Sequence, residues 1–123
     1  MAKKILLIED EKIMVNLLEK KLTKEGYDVS VAWDGKEGLL KIREVKPDLI
    51  SLDIVMPKMG GFGVMEEVSK DKELKKIPII IISNSGQPVE LERAKELGVK
   101  DWLIKTEFDP QEVLNKVTKQ IGK

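Results

Sequence analysis

Cysteine and histidine are both missing from the 123 residues. The first absence excludes a disulfide, a thiol nucleophile and a thiolate metal centre; the second removes the commonest general base and the usual ligand of softer metals. Chemistry is left to carboxylates, hydroxyls and lysines. Net charge is missing too, because 22 Lys and Arg offset 22 Asp and Glu, so no global field draws the chain to nucleic acid or to a membrane. Long apolar runs are also absent. The apolar stretch before Glu9 is too short for a signal peptide, and nothing approaches the roughly 18 apolar residues of a membrane span. The chain reads as a cytoplasmic protein with its function in a local site. Its 41% hydrophobic residues suffice for the core of one domain over residues 1–123.

What is present is a rhythm. Lys3 to Ile8 reads as a buried strand, and Glu11 to Glu25 as a helix with Met14, Leu17, Leu18 and Leu22 on its inner face, stopped by Gly26. Asp28 to Ala32 is a second strand. Asp34 and Glu37 form a capping box that opens a helix through Leu39, Leu40, Ile42 and Val45, ending before Pro47. Leu49 to Asp53 is the third strand, and the Gly60-Gly61 pair leads into a helix from Phe62 to about Asp71. Ile77 to Ile82 is a strand covered on both faces, closed by Ser83. Pro88 starts a fourth helix through Leu91, Ala94 and Leu97, Gly98 closes it, and Val99 to Ile104 is a fifth strand ending in Lys105. Asp109 caps the last helix, with Val113, Leu114, Val117 and Ile121 inward. Trp33 and Phe62 read as packing residues. Five strand-helix units predict a doubly wound α/β domain with a parallel sheet in the flavodoxin-like order 2-1-3-4-5.

In that order the first, third, fourth and fifth strands are neighbours, and they bring Glu9, Asp10, Asp53, Ser83 and Lys105 to the carboxyl edge of the sheet. Three carboxylates within about 5 Å repel one another by several kcal/mol at an effective dielectric of about 20, so the cluster is expected to need a cation. Oxygen ligands without His or Cys point to Mg²⁺. A hydroxyl and an ammonium beside it complete a phosphate site.

These residues carry a resemblance. The acidic pair Glu9-Asp10, the run from Asp53 through Met56-Pro57 to Gly60-Gly61, Ser83 and Lys105 resemble the receiver domain of the two-component response-regulator family over essentially the whole chain, in its single-domain, chemotaxis-regulator-like form. The resemblance implies a phosphorylation-controlled switch, not an enzyme beyond self-catalysed phosphoryl transfer and autodephosphorylation. Asp53 is then the nucleophile accepting a phosphoryl group from a sensor histidine kinase, a histidine phosphotransfer protein or a small phosphodonor. Asp10, Asp53 and the Val55 carbonyl hold Mg²⁺, with Glu9 acting mainly through water. Ser83 bonds a phosphoryl oxygen and Lys105 pairs with it. Trp102 falls at the family's aromatic switch. Output is expected through a downstream protein bound to the face of the fourth helix, fifth strand and fifth helix, with no direct contact to nucleic acid or membrane.

Three features depart from the family pattern. Glu9 stands where Asp is usual, Thr106 follows Lys105 where Pro is usual with one extra residue before Phe108, and Asn84 occupies a position usually held by a small residue. Three rival readings are weaker on the residues themselves. A phosphate-independent scaffold does not need Asp53, Ser83 and Lys105 together. A flavin carrier wants a hydroxyl-rich loop after the first strand, where Glu9-Asp10-Glu11 stands instead, and a Mg²⁺ phosphohydrolase wants a second acid at Val55.

Overall fold

The computed structural model describes residues 2–84, 87–99, 101–107 and 109–123. Strands β1 (Lys4–Ile8), β2 (Asp28–Ala32), β3 (Leu49–Leu52), β4 (Ile79–Ser83) and β5 (Asp101–Ile104) alternate with helices α1 (Lys12–Lys24), α2 (Gly35–Val45), α3 (Gly61–Ser69), α4 (Pro88–Glu96) and α5 (Pro110–Ile121). Short 3-10 turns lie at Leu74–Lys76 and Lys105–Glu107. All strand pairs are parallel and the order is 2-1-3-4-5, the flavodoxin-like arrangement expected.

The three central strands are almost wholly buried because both faces are covered, whereas the edge strands β2 and β5 are largely half-exposed. Alternate residues point to opposite sides. Ile5, Leu7, Leu49, Ile80 and Ile82 pack with Leu18, Leu22 and Val113 from α1 and α5. Leu6, Ile8, Ile50, Leu52 and Ile81 pack on the other side with Ile42, Val64, Met65 and Ala94 from α2, α3 and α4. Nearly all of these strand side chains are wholly buried, and each such burial contributes about 1.5–3 kcal/mol. No described helix is long and apolar enough to cross a membrane.

The helix starts follow local chemistry. Glu37 N–H donates to Asp34 Oδ1 at 2.8 Å while Trp33 N–H donates to Glu37 Oε1 at 2.7 Å, a capping box whose return bond reaches one residue further back than the usual form. Asp109 caps α5 by accepting from Gln111 N–H at 2.8 Å. Helix α1 has Glu11 at its N-cap but receives no side-chain cap.

Several inward assignments need correction. Leu17 is 49% exposed and Leu40 is 65% exposed; the buried stripes are Met14, Val15, Leu18 and Leu22 in α1, and Gly35, Gly38, Leu39 and Ile42 in α2. Each inner face is therefore narrower than the sequence pattern suggests, because a helix lying on a flat sheet buries only about a third of its circumference. Trp33 is 43% exposed and is not a core residue. Strand β4 runs on through Ser83 and β5 begins at Asp101, later than expected. Phe108 and the position of the extra residue before it lie outside the described residues.

Candidate functional site

The parallel ladder sets the acids in place. Beyond the last paired residues of β1 and β3, Glu9 N–H donates to Ala32 O at 3.0 Å and Asp53 N–H donates to Ile8 O at 3.0 Å. Both acids are thus held by their backbones at the carboxyl ends of adjacent strands. Their side chains turn inward, and Glu9, Asp53 and Lys105 are all buried.

Lys105, the first residue after β5, is the hub. Its Nζ donates to Glu9 Oε2 at 2.9 Å, Glu11 Oε1 at 2.8 Å and Asp53 Oδ2 at 3.1 Å, using all three ammonium protons. The other oxygen of Asp53 accepts from Ile54 N–H at 2.8 Å, and Glu9 Oε2 also accepts from Glu11 N–H at 3.0 Å. Among the described residues no buried side-chain polar atom lacks a hydrogen bond, as a buried ionic group requires.

Burial disfavours charge on the two acids. It pushes the Glu9 carboxyl up to about 7, with the Asp53 charge adding to the shift and Lys105 and the Glu11 amide opposing it. Burial likewise raises Asp53 above the usual aspartate range, with Lys105 opposing and the Asp10 charge adding. At Lys105 burial works against the ammonium, but the bonds to Glu11, Glu9 and Asp53 outweigh it and hold its pKa above that of an ordinary lysine. The ammonium stays charged, and the carboxylates around it share a single compensating cation.

One expectation is refined. The acidic cluster does not rely on a metal for all of its compensation, because Lys105 already serves as a counter-ion inside the protein. The direct partners of Glu9 are Lys105 and the Glu11 amide. The longer arm of glutamate reaches the ammonium, and that contact is what the departure from Asp provides.

The remaining residues surround a cavity of about 250 Å³ lined by Asp10, Glu11, Asp53, Val55, Ser83, Asn84 and Lys105. Ser83 is buried at the end of β4, whereas Val55 is 76% exposed at the rim. Trp102, on β5, is half-buried and packs against the core on the side of α2, α3 and α4. Carboxylate oxygens of Glu9, Asp10 and Asp53 lie within 4.8 Å of one another. An all-oxygen donor set of this span fits a hard divalent cation such as Mg²⁺.

Glu11 is not among the candidate site residues read from the sequence, where it starts a helix and belongs to the acidic run that argues against a flavin carrier. Nothing local marks it: its partner Lys105 lies 94 residues away, and its side chain makes no cap to its own helix.

Comparisons with known proteins agree with the geometry. Residues 5–118 match the family described as the response regulator receiver domain. Over 124 aligned residues the chain is 38% identical to the chemotaxis protein CheY of Thermotoga maritima, covering 97% of this chain and all of that protein. It is 39% identical to the alkaline phosphatase synthesis transcriptional regulatory protein PhoP of Bacillus subtilis across 92% of this chain, but spans only 46% of that regulator's length. Among solved structures, the chemotaxis protein CheY4 of Vibrio cholerae superposes with a TM-score of 0.89 at 28% identity, covering 98% of this chain and 99% of that one.

Proposed function

The chain belongs to the response regulator receiver domain family of two-component signalling, and from that premise we propose that it is a switch thrown by phosphorylation of Asp53. The observation that carries the reading is that Asp53, bonded to Lys105, opens with Asp10 and Ser83 on one cavity while its carboxylate lies within 4.8 Å of those of Glu9 and Asp10. The phosphoryl donor is a sensor histidine kinase, a histidine phosphotransfer protein or a small phosphodonor. A carboxylate oxygen of Asp53 bonds to phosphorus as the donor's bond to phosphorus breaks, which leaves an acyl phosphate. Burial primes this carboxylate by stripping water from it.

Glu9, Asp10, Asp53 and the Val55 carbonyl are the residues that would hold Mg²⁺. When bound, the ion neutralises charge developing on the phosphoryl oxygens. Lys105 is already bonded to Asp53 and needs only to exchange a carboxylate for a phosphoryl oxygen. Ser83, at the strand end across the cavity, supplies a hydroxyl to another. Those few charged hydrogen bonds, worth roughly 1.5–3 kcal/mol each, bias a population and do not force a one-way change. The bias passes to Trp102, whose half-buried ring on β5 can shift its packing, and so to a downstream protein on the face of α4, β5 and α5.

Incubation with acetyl phosphate and Mg²⁺ followed by intact-mass measurement tests the assignment. A single adduct of about 80 Da is expected on the wild type and none on Asp53→Asn. An adduct of undiminished yield on that variant would remove Asp53 from the role.

A further inference from the structure

The segment that follows Asp53 is held in an unusual shape. Met59 N–H donates to Pro57 O at 2.7 Å across Lys58, whose φ is +66°. That is a γ-turn with a lysine in the left-handed region, a strained arrangement that persists only where the surroundings impose it. Gly61 N–H donates back to Ile54 O at 2.8 Å and closes the loop.

Helices α2 and α3 both crowd it: a Cβ on Gly63 of α3 would lie 2.8 Å from Met59 Cγ, and α2 meets its backbone. A Cβ on Gly35, the first residue of that helix, would lie 2.0 Å from the carbonyl oxygen of Met59 and 2.7 Å from its carbonyl carbon. The helix therefore seats the loop backbone directly against its first turn. The Asp34 carboxylate, one residue earlier, pairs with Lys58 Nζ at 3.7 Å, and the Met59 side chain packs into the core on the same side. These contacts converge on Lys58 and Met59, just past Val55 at the rim of the acidic cavity.

We propose that Gly35 is a positioning residue for the candidate cation site: by lacking a Cβ it admits the Met59 carbonyl and thereby holds the loop carrying Val55 against the acidic cavity. The inference rests on the reading of that cavity as a Mg²⁺ site. It assigns to the start of α2, which supplies no ligand itself, a share of the site's affinity. Residues that orient ligands from behind typically govern about 10- to 100-fold in metal affinity.

Calorimetric titration with Mg²⁺ alone, on folded proteins, separates the possibilities. Gly35→Ala is expected to raise the Kd for Mg²⁺ at least about tenfold. A Cβ on Gly38, one turn along the same helix, would have the Ile8 side chain as its nearest atoms, at 2.7 Å; Gly38→Ala should lower the melting temperature with a smaller effect on the Kd for Mg²⁺ than Gly35→Ala. Lys58→Gly suits the left-handed backbone, removes only the pairing with Asp34, and is expected to raise the Kd about twofold. Absence of Mg²⁺ binding by the wild type overturns the cation reading and the proposal with it. Wild-type binding matched within twofold by a folded Gly35→Ala overturns the proposal alone. Should Gly35→Ala fail to fold, the wild type decides: amide hydrogen exchange of residues 54–59 left unchanged by saturating Mg²⁺, while the ion demonstrably binds, overturns it.

Discussion

The two edges of the sheet are made from the same five strands and solve opposite problems. At the amino edge the hydrogen bonds among the described residues tie the chain to itself. Asp28 and Asp48 N–H groups donate to Lys3 and Lys4 carbonyls at 2.9 and 2.8 Å, and Lys4 N–H donates to Asp48 Oδ2 at 2.7 Å. The Tyr27 hydroxyl donates to Gly122 O at 2.7 Å and lies 3.3 Å from the Thr118 hydroxyl, and Lys3 Nζ bonds the Ile121 carbonyl. These bonds tie down strand starts and the end of α5. At the carboxyl edge, buried Glu9, Asp53 and Lys105 do nothing for the chain that apolar residues could not do better, since replacing a buried ion pair with hydrophobic residues is often neutral or stabilising. One edge is built for folding and the other is held in tension for a ligand.

The sharpest way to break this contrast is to remove the hub. Lys105→Met should leave Glu9 and Asp53 buried without a counter-ion and destabilise the metal-free protein by about 3–5 kcal/mol at pH 8. Urea unfolding with and without Mg²⁺ measures it, and the ion should return part of the loss. A change below 1 kcal/mol would mean that water or rearrangement compensates the acids.

Next in size is a pH effect confined to the same edge. The folded protein retains a proton on Glu9 up to about pH 7, whereas the unfolded chain releases it near 4.5. The contribution is fully present below 4.5 and is lost as pH rises toward 7, so metal-free stability should fall over that interval by up to roughly 3 kcal/mol. Glu9→Gln should flatten the slope between pH 5 and 8, as followed by unfolding at each pH. An identical slope in the variant would move its origin elsewhere.

At the amino edge, Tyr27→Phe should cost only about 1 kcal/mol. The loss should be the same at pH 5 and 8 and with or without Mg²⁺. A loss that depended on the ion would show that the two edges are coupled.

The smallest effect has the opposite sign. Asp10 is exposed beside Asp53 and adds to the charge that raises its pKa. Asp10→Ala should therefore melt slightly above wild type without metal and lose the rise that Mg²⁺ confers. For the wild type that rise corresponds to about 2.7 kcal/mol at a concentration a hundredfold above Kd. A variant melting below wild type without metal would mean that Asp10 contributes to the fold and is not a charge held in reserve.

The sequence alone determined the class of the molecule. Five apolar runs of strand length, separated by amphipathic stretches with Asp34, Pro88, Asp109 and Gly98 at their ends, admit little other than a doubly wound parallel sheet, because periodicity and capping are local properties. It also placed Asp53, Ser83 and Lys105 at strand ends, and parallel topology carries strand ends to one edge. What a side chain does there depends on atoms far along the chain, and tertiary structure alone decided that. Glu11 bonds Lys105 at 2.8 Å and Glu9 bonds it at 2.9 Å, both across more than ninety residues of chain. Lys58 adopts a left-handed backbone where the Met59 carbonyl sits against Gly35. Leu17 and Leu40 are apolar yet exposed, outside the buried stripes of their helices. Each outcome was settled by a competition between a local preference and a contact formed only on folding. A desolvated charge or a backbone clash outweighs a cap or a propensity by a kcal/mol or more.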